Sequence, residues 1–124
     1  MGVVRILVVD DDAGVRDAVC EALTVLGYAT EPASGAGEAL DRFHPGRYRM
    51  VVTDLAMPLM NGLQLARRLR ALEPGLPIMI FSGSTSAAES EIETAGVRVA
   101  RKPDVDALAR LIERTLNDPR AGVG

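Results

Sequence analysis

RILVVDDDAGVRDAV, residues 5–19, is the stretch on which the fold turns. From Val3 to Val9 the chain is almost continuously apolar and rich in β-branched residues. Such a short run suits a strand buried on both faces. It ends abruptly in Asp10, Asp11 and Asp12. Directly after the acids, Val15, Ala18, Val19, Ala22, Leu23 and Leu26 recur at helical spacing, and Gly27 stands where a C′ glycine closes a helix. A buried strand that delivers acids to a turn and then enters a helix is the first half of a strand–helix–strand unit.

The same alternation continues outward. Tyr28 to Glu31 reads as a short second strand, and Ser34 as the N-cap of a second helix with Ala39, Leu40 and Phe43 inward. HPGR breaks the chain before a third strand, Met50 to Thr53. A loop from Leu55 to Gly62 precedes a third helix marked by Leu63, Ala66, Leu69 and Leu72 and closed by Pro74 and Pro77. Ile78 to Phe81 predicts a fourth strand, the polar stretch from Gly83 a weak fourth helix reaching Ala95, and Val97 to Ala100 a fifth strand. Leu108, Leu111, Ile112 and Leu116 pattern a fifth helix. Short buried strands joined through helices imply a parallel sheet covered on both sides. With right-handed crossovers, five strands favour the doubly wound order 2-1-3-4-5, whose ligands bind beyond the carboxyl ends of the strands where the order reverses.

Composition fits one domain. The chain has 124 residues, enough to bury a core without disulfides, and Cys20 is its only cysteine. A net charge of −3, with no basic block, no tryptophan and few aromatics, gives no footprint for nucleic acid. No bilayer-spanning run and no signal-peptide pattern is present, which points to the cytoplasm and away from membranes. Residues 1–118 read as the domain and 119–124 as tail or linker.

The strand ends carry the chemistry. The first ends at Asp10, Asp11 and Asp12, the third at Asp54, the fourth at Ser82 and the fifth at Lys102. In the doubly wound order these groups converge on one crevice. Two carboxylates about 4 Å apart repel by roughly 4 kcal/mol at an effective dielectric near 20. A cluster of them must take up protons or recruit a cation. Oxygen-only ligands favour a hard ion, and few carboxylates plus waters suit Mg²⁺. Thirteen of the fourteen basic residues are arginine, and the single lysine is Lys102. A compact ammonium at this one position fits a need for a small point charge. A metal, an ammonium and a hydroxyl meet the requirements of phosphoryl transfer, with Asp54 as a nucleophile forming an acyl phosphate.

Plainer roles fit several residues. Asp12 reads first as the cap of the helix that follows. Ser82 before Gly83 also fits loop punctuation, and Asp54 taken alone would be a turn residue. His44, beside Pro45, reads as a surface residue. Cys20 reads as a partly buried small side chain. Met57-Pro58 fixes the loop after Asp54. Lys102-Pro103 is the kind of bond that tolerates the cis isomer at small cost.

ILVVDDD, VVTDLAMPLMNG, FSG and RKP, in this order and spacing, make the chain from about Val3 to Leu116 resemble the receiver domain of two-component response regulators. The resemblance implies the flavodoxin-like form of the fold already read from the alternation, with five flanking helices. It also implies Asp54 as phosphoacceptor, and Asp11, Asp54 and the Ala56 backbone carbonyl as direct Mg²⁺ ligands. Asp10 would act mainly through a metal-bound water, Ser82 would follow the phosphoryl group, and Lys102 would pair with it. The donor would be a phosphohistidine on a histidine kinase or a histidine phosphotransfer protein. The output would be a changed face on the fourth helix, fifth strand and fifth helix, presented to an effector domain or partner protein. Such a module is not an enzyme beyond its own phosphorylation and dephosphorylation. The chain departs from the family in carrying Val99 where an aromatic switch residue is frequent, and Asp104 after RKP.

Other classes compete on stated features. An aspartyl phosphohydrolase needs an acid two residues after the nucleophile, where this chain has Ala56. A flavin-binding domain needs a phosphate cradle after the first strand, where Asp10 and Asp11 repel phosphate. A receiver-like adaptor that no longer phosphorylates does not need the full acid, hydroxyl and lysine set. A stand-alone receiver, the receiver of a hybrid kinase and a piece of a longer regulator all fit the tail NDPRAGVG.

Overall fold

The computed structural model describes residues 3–83 and 97–117. Its elements are β1 (Arg5–Val9), α1 (Ala13–Val25), β2 (Ala29–Ala33), α2 (Ala36–Arg42), β3 (Met50–Thr53), α3 (Gly62–Leu72), β4 (Ile78–Ser82), β5 (Arg98–Arg101) and α4 (Val105–Asn117). All five strands are parallel, in the order β2-β1-β3-β4-β5. The expected helix between Gly83 and Ala95 and the tail 119–124 lie outside the described residues, which hold four helices.

Period-two alternation divides the core into two layers. Ile6, Val8, Met50, Val52, Met79 and Phe81 face one side, with Val19 and Leu23 of α1 and Leu108 and Ile112 of α4. Leu7, Val9, Val51, Ile78 and Ile80 face the other, with Ala36 and Ala39 of α2 and Leu63, Ala66 and Leu69 of α3. Burial on both faces is why these strands are continuously apolar instead of alternating. Each fully buried aliphatic side chain contributes roughly 1.5–3 kcal/mol.

Caps fix where the helices begin. The Asp12 carboxylate accepts from the backbone N–H groups of Gly14 (2.9 Å) and Val15 (3.2 Å), so Asp12 is the cap the sequence indicates. Gly27 takes φ +96° after the Leu26 C-cap. The second helix is capped differently from the expectation. Gly35, extended and without a side chain to offer, is the N-cap, while the Ser34 hydroxyl turns outward and donates to Glu38 at 2.9 Å. The third helix opens on a capping box, in which Asn61 accepts from the Gln64 N–H and Gln64 accepts from the Asn61 N–H. β2 runs from Ala29 to Ala33, later than Tyr28 to Glu31, because its register with Arg5–Val9 is set by β1. β2 and β5 are the edges of the sheet; exposed Pro32 lies in the first, and exposed Arg98 and Arg101 bound the second.

Candidate functional site

The hydrogen-bond ladder of the sheet runs one step past the strands, and that step holds the site. The Asp10 N–H donates to the Ala33 carbonyl (3.1 Å), the Asp54 N–H to the Val9 carbonyl (2.9 Å) and the Lys102 N–H to the Ser82 carbonyl (3.1 Å). The backbone at Asp10, Asp54 and Lys102 is therefore as fixed as the sheet itself. Ser82 is the last residue of β4, paired with Arg101. Asp10, Asp54 and Ser82 are buried, Asp11 is exposed, and Lys102 is intermediate.

Asp10 is engaged on every side. Its Oδ1 accepts from the Asp12 N–H at 2.9 Å, and its Oδ2 lies 3.0 Å from Lys102 Nζ. Its backbone carbonyl accepts from Arg16 Nη1 at 2.8 Å. Lys102 Nζ also reaches Asp54 Oδ1, at 3.4 Å. One ammonium thus bridges two buried carboxylates. Burial, followed by the charge of Asp10, pushes the Asp54 carboxyl above the ordinary aspartate value, and Lys102 only partly offsets the rise. Burial pulls Lys102 down, but the combined pull of Asp10 and Asp54 outweighs it and holds the ammonium above the ordinary lysine value. Lys102 sits closer to Asp10, so Asp54 is the less compensated of the two anions.

Asp10, Asp11 and Asp54 each place a carboxylate oxygen within 4.8 Å of the others. The donors are all hard oxygens, two on buried side chains and one on an exposed one. That set fits a small divalent cation that keeps part of its water shell.

The loop after Asp54 is shaped by a close approach. A Cβ on Gly62 would stand 2.1 Å from the Asp54 carbonyl oxygen, and the Gly62 N–H donates to the Leu55 carbonyl at 2.8 Å. Only glycine lets the start of α3 lie against the backbone that follows Asp54. Thr53, fully buried, donates its hydroxyl to the Asp54 carbonyl at 2.9 Å. Lys102-Pro103 is cis.

The sequence-expected residues Asp10, Asp11, Asp54 and Lys102 therefore meet at the carboxyl edge, with Ser82 on the neighbouring strand end. Ala56 is exposed on the loop that leaves Asp54. His44 is exposed and Cys20 half-buried, both away from the site; burial raises the Cys20 thiol. Sequence reasoning missed Arg16 and Gly62. Neither has a local signal, since Arg16 acts on a carbonyl six residues back and Gly62 on one eight residues back. The Asn61-x-x-Gln64 spacing is a readable cap signature that the apolar pattern overshadows.

An ammonium held between buried carboxylates at the crevice of a doubly wound sheet places the chain among phosphoacceptor domains with the flavodoxin-like fold. The chain belongs to the response regulator receiver domain family, whose model matches residues 6–113. It is the phosphorylated signalling module of two-component systems. The response regulator MprA of Mycolicibacterium vanbaalenii is 37% identical over 126 residues, covering 96% of this chain and 54% of the relative. The chain thus spans about half the length of that curated relative. Among solved structures, a CheY-like receiver domain protein from Methanospirillum hungatei superposes with a TM-score of 0.86 at 29% identity, covering 94% of this chain and 96% of the other. The Thermotoga maritima response regulator TrrA, solved in complex with Mg²⁺ and BeF, superposes with a TM-score of 0.81 at 28% identity, covering 90% and 97%. Among the described residues, no helix is long and apolar enough to cross a membrane.

Proposed function

We propose that Asp54 is the phosphoacceptor, taking a phosphoryl group from a phosphohistidine of a histidine kinase or histidine phosphotransfer protein. The observation that carries this reading is the bridging of Asp10 and Asp54 by Lys102. Asp54 is the less compensated anion and stands on the last rung of the ladder, facing the crevice with one oxygen outside the ammonium contact. Asp11, Asp54 and the Ala56 carbonyl would hold Mg²⁺, with Asp10 acting through a water. Bound there, the ion would supply positive charge against the phosphoryl oxygens. Lys102 supplies the second positive charge and keeps its proton, because both carboxylates favour the charged form. Ser82 donates a hydrogen bond to the transferred group, and its place beside Lys102 on the adjacent strand end suits that contact.

Phosphorylation adds nearly two negative charges to a pocket already rich in them. Lys102 and Ser82 answer that charge, and the disturbance passes to β5, which ends just before Lys102, and to α4, which starts just after it. Val99 is half-buried against the layer that holds α2 and α3. Without an aromatic ring there, either the response runs through backbone and loop shifts or the output is weak. Phosphoryl chemistry confined to its own Asp54 makes this a signalling domain and not a turnover enzyme. The absence of an acid at Ala56 removes the proton donor that a phosphohydrolase would use. The module is cytoplasmic in this reading and contacts neither nucleic acid nor membrane itself.

The test is incubation with Mg²⁺ and a small acyl phosphate donor, followed by intact-mass measurement. One phosphoryl mass should appear, vanish under chelation and be absent from Asp54→Asn. An adduct that survives that substitution, or multiple turnover of a phosphate ester, would overturn the assignment.

A further inference from the structure

β3 is buried along its whole length, yet its last residue is polar. Met50, Val51 and Val52 are apolar, and Thr53 follows them into the interior with no exposed surface. Thr53 lies between Val9 of β1 and Ile80 of β4, both buried. A valine has the same shape, suits a strand equally well and carries no hydroxyl to desolvate. Packing alone does not call for threonine at this place, so the hydroxyl needs a use.

That use is visible in the peptide that follows. The hydroxyl donates to the Asp54 carbonyl at 2.9 Å. The N–H of the same peptide unit belongs to Leu55, and it is hydrogen-bonded to the Asp54 carboxylate. Burial and the charge of Asp10 raise the Asp54 carboxyl; Lys102 and this N–H oppose the rise. A trans peptide is planar, with its C=O and N–H pointing opposite ways, so a group that fixes one end aims the other. The neighbouring groups are held as well. The Asp54 N–H donates to the Val9 carbonyl, and the Leu55 carbonyl accepts from the Gly62 N–H. The Leu55 side chain packs on the layer of α2 and α3. Every backbone polar group from the Asp54 N–H to the Leu55 carbonyl thus has a partner, and Thr53 supplies one of them from a side chain.

We propose that Thr53 is a positioning residue for phosphoryl uptake: its hydroxyl sets the plane of the Asp54–Leu55 peptide, and that peptide keeps the Asp54 carboxylate in one orientation. In the transfer an Asp54 oxygen bonds to phosphorus while the donor's bond to phosphorus breaks, and the donor keeps that electron pair. Thr53 touches neither partner and acts through the backbone alone. This role rests on Asp54 as the phosphoacceptor, whereas the hold on the peptide does not.

The test compares the whole chain with Thr53→Val, Thr53→Ala and Thr53→Ser, each checked for folding by its amide spectrum. Thr53→Val should melt within about 5 °C of the parent. In chelator, the Leu55 amide should exchange with solvent about tenfold faster or more in Thr53→Val and Thr53→Ala, and at the parent rate in Thr53→Ser. With saturating Mg²⁺ and a small acyl phosphate donor, phosphoryl uptake should slow about tenfold or more in the first two and recover in Thr53→Ser. Parent-like exchange in Thr53→Val would overturn the proposal, and so would faster exchange with parent-like uptake. A Thr53→Ser chain as slow as Thr53→Val would overturn it too, because shape and not the hydroxyl would then matter. Should Thr53→Val fail to fold, Thr53→Ala against Thr53→Ser decides by the same two readouts. A parent that takes up no phosphoryl group would instead overturn the reading of Asp54, and amide exchange would still decide whether Thr53 holds the peptide.

Discussion

Lys102 Nζ lies 3.0 Å from Asp10 Oδ2 and 3.4 Å from Asp54 Oδ1, so one ammonium is shared by two buried carboxyl groups. An ammonium and a divalent cation compete for the same oxygens. Replacing Lys102 with methionine should therefore destabilise the metal-free protein by about 2–3 kcal/mol, below the full cost for a deeply buried pair because Lys102 is partly exposed. Mg²⁺ should restore most of the loss and should bind the variant more tightly than the parent. Chemical denaturation with and without Mg²⁺, together with calorimetric titration, measures both.

Asp54 carries the opposite signature. Its carboxyl is raised by burial first and by the charge of Asp10 second. A carboxyl whose folded value exceeds its unfolded value loses stability for the protein as pH rises through its range, because the unfolded chain ionises more readily. Asp54→Asn should thus be more stable than the parent near neutrality in chelator. The advantage should disappear as pH falls below the aspartate range, where the parent is protonated in both states. Thermal unfolding across pH checks the sign.

Gly62 sets the seat of α3. A methyl group there would meet the Asp54 carbonyl oxygen at 2.1 Å, and backbone has little room to retreat. Gly62→Ala should cost about 2–3 kcal/mol in urea unfolding, at the upper end for overpacking. It should also slow phosphoryl uptake, because the displaced loop carries Ala56. Leu63→Ile, which keeps the volume and leaves the loop alone, should not slow uptake.

Asp11 and Asp12 are neighbours with separate duties. Asp12→Ala should cost about 1 kcal/mol through the lost cap and leave Mg²⁺ affinity within a few-fold. Asp11→Ala should cost little stability, since the side chain is exposed, and should weaken Mg²⁺ binding by far more. Paired denaturation and titration curves separate the two roles.

Arg16 holds the acid loop through the Asp10 carbonyl at 2.8 Å. Arg16→Gln, which shortens the reach, should weaken Mg²⁺ binding several-fold while costing about 1 kcal/mol or less of stability, the net worth of one such hydrogen bond. Lysine, which retains the charge but not the fork, should rescue only part of the affinity.

Much of this architecture is written in local pattern. The runs from Val3 to Val9 and from Met50 to Thr53 are apolar on both faces because helices cover both faces, and that gave the topology. The acids, Ser82 and Lys102 were legible because each stands where an apolar run stops. The contacts that order the site were not legible, since they act across space on backbone atoms. Arg16 reaches the Asp10 carbonyl, six residues back and ahead of the helix, and Gly62 makes room for another. Ser34 misled for a related reason: a hydroxyl one residue before an extended glycine can choose a carboxylate, here Glu38, over a backbone N–H.

The two outer strands carry a further consequence. An open β edge is a template on which stray chains accrete, and every parallel sheet of this kind has two. Pro32 withholds an N–H from any newcomer along one border, and Arg98 and Arg101 set two cationic posts along the other. Both borders of the sheet thus carry residues of the kind that blunt edge-to-edge pairing.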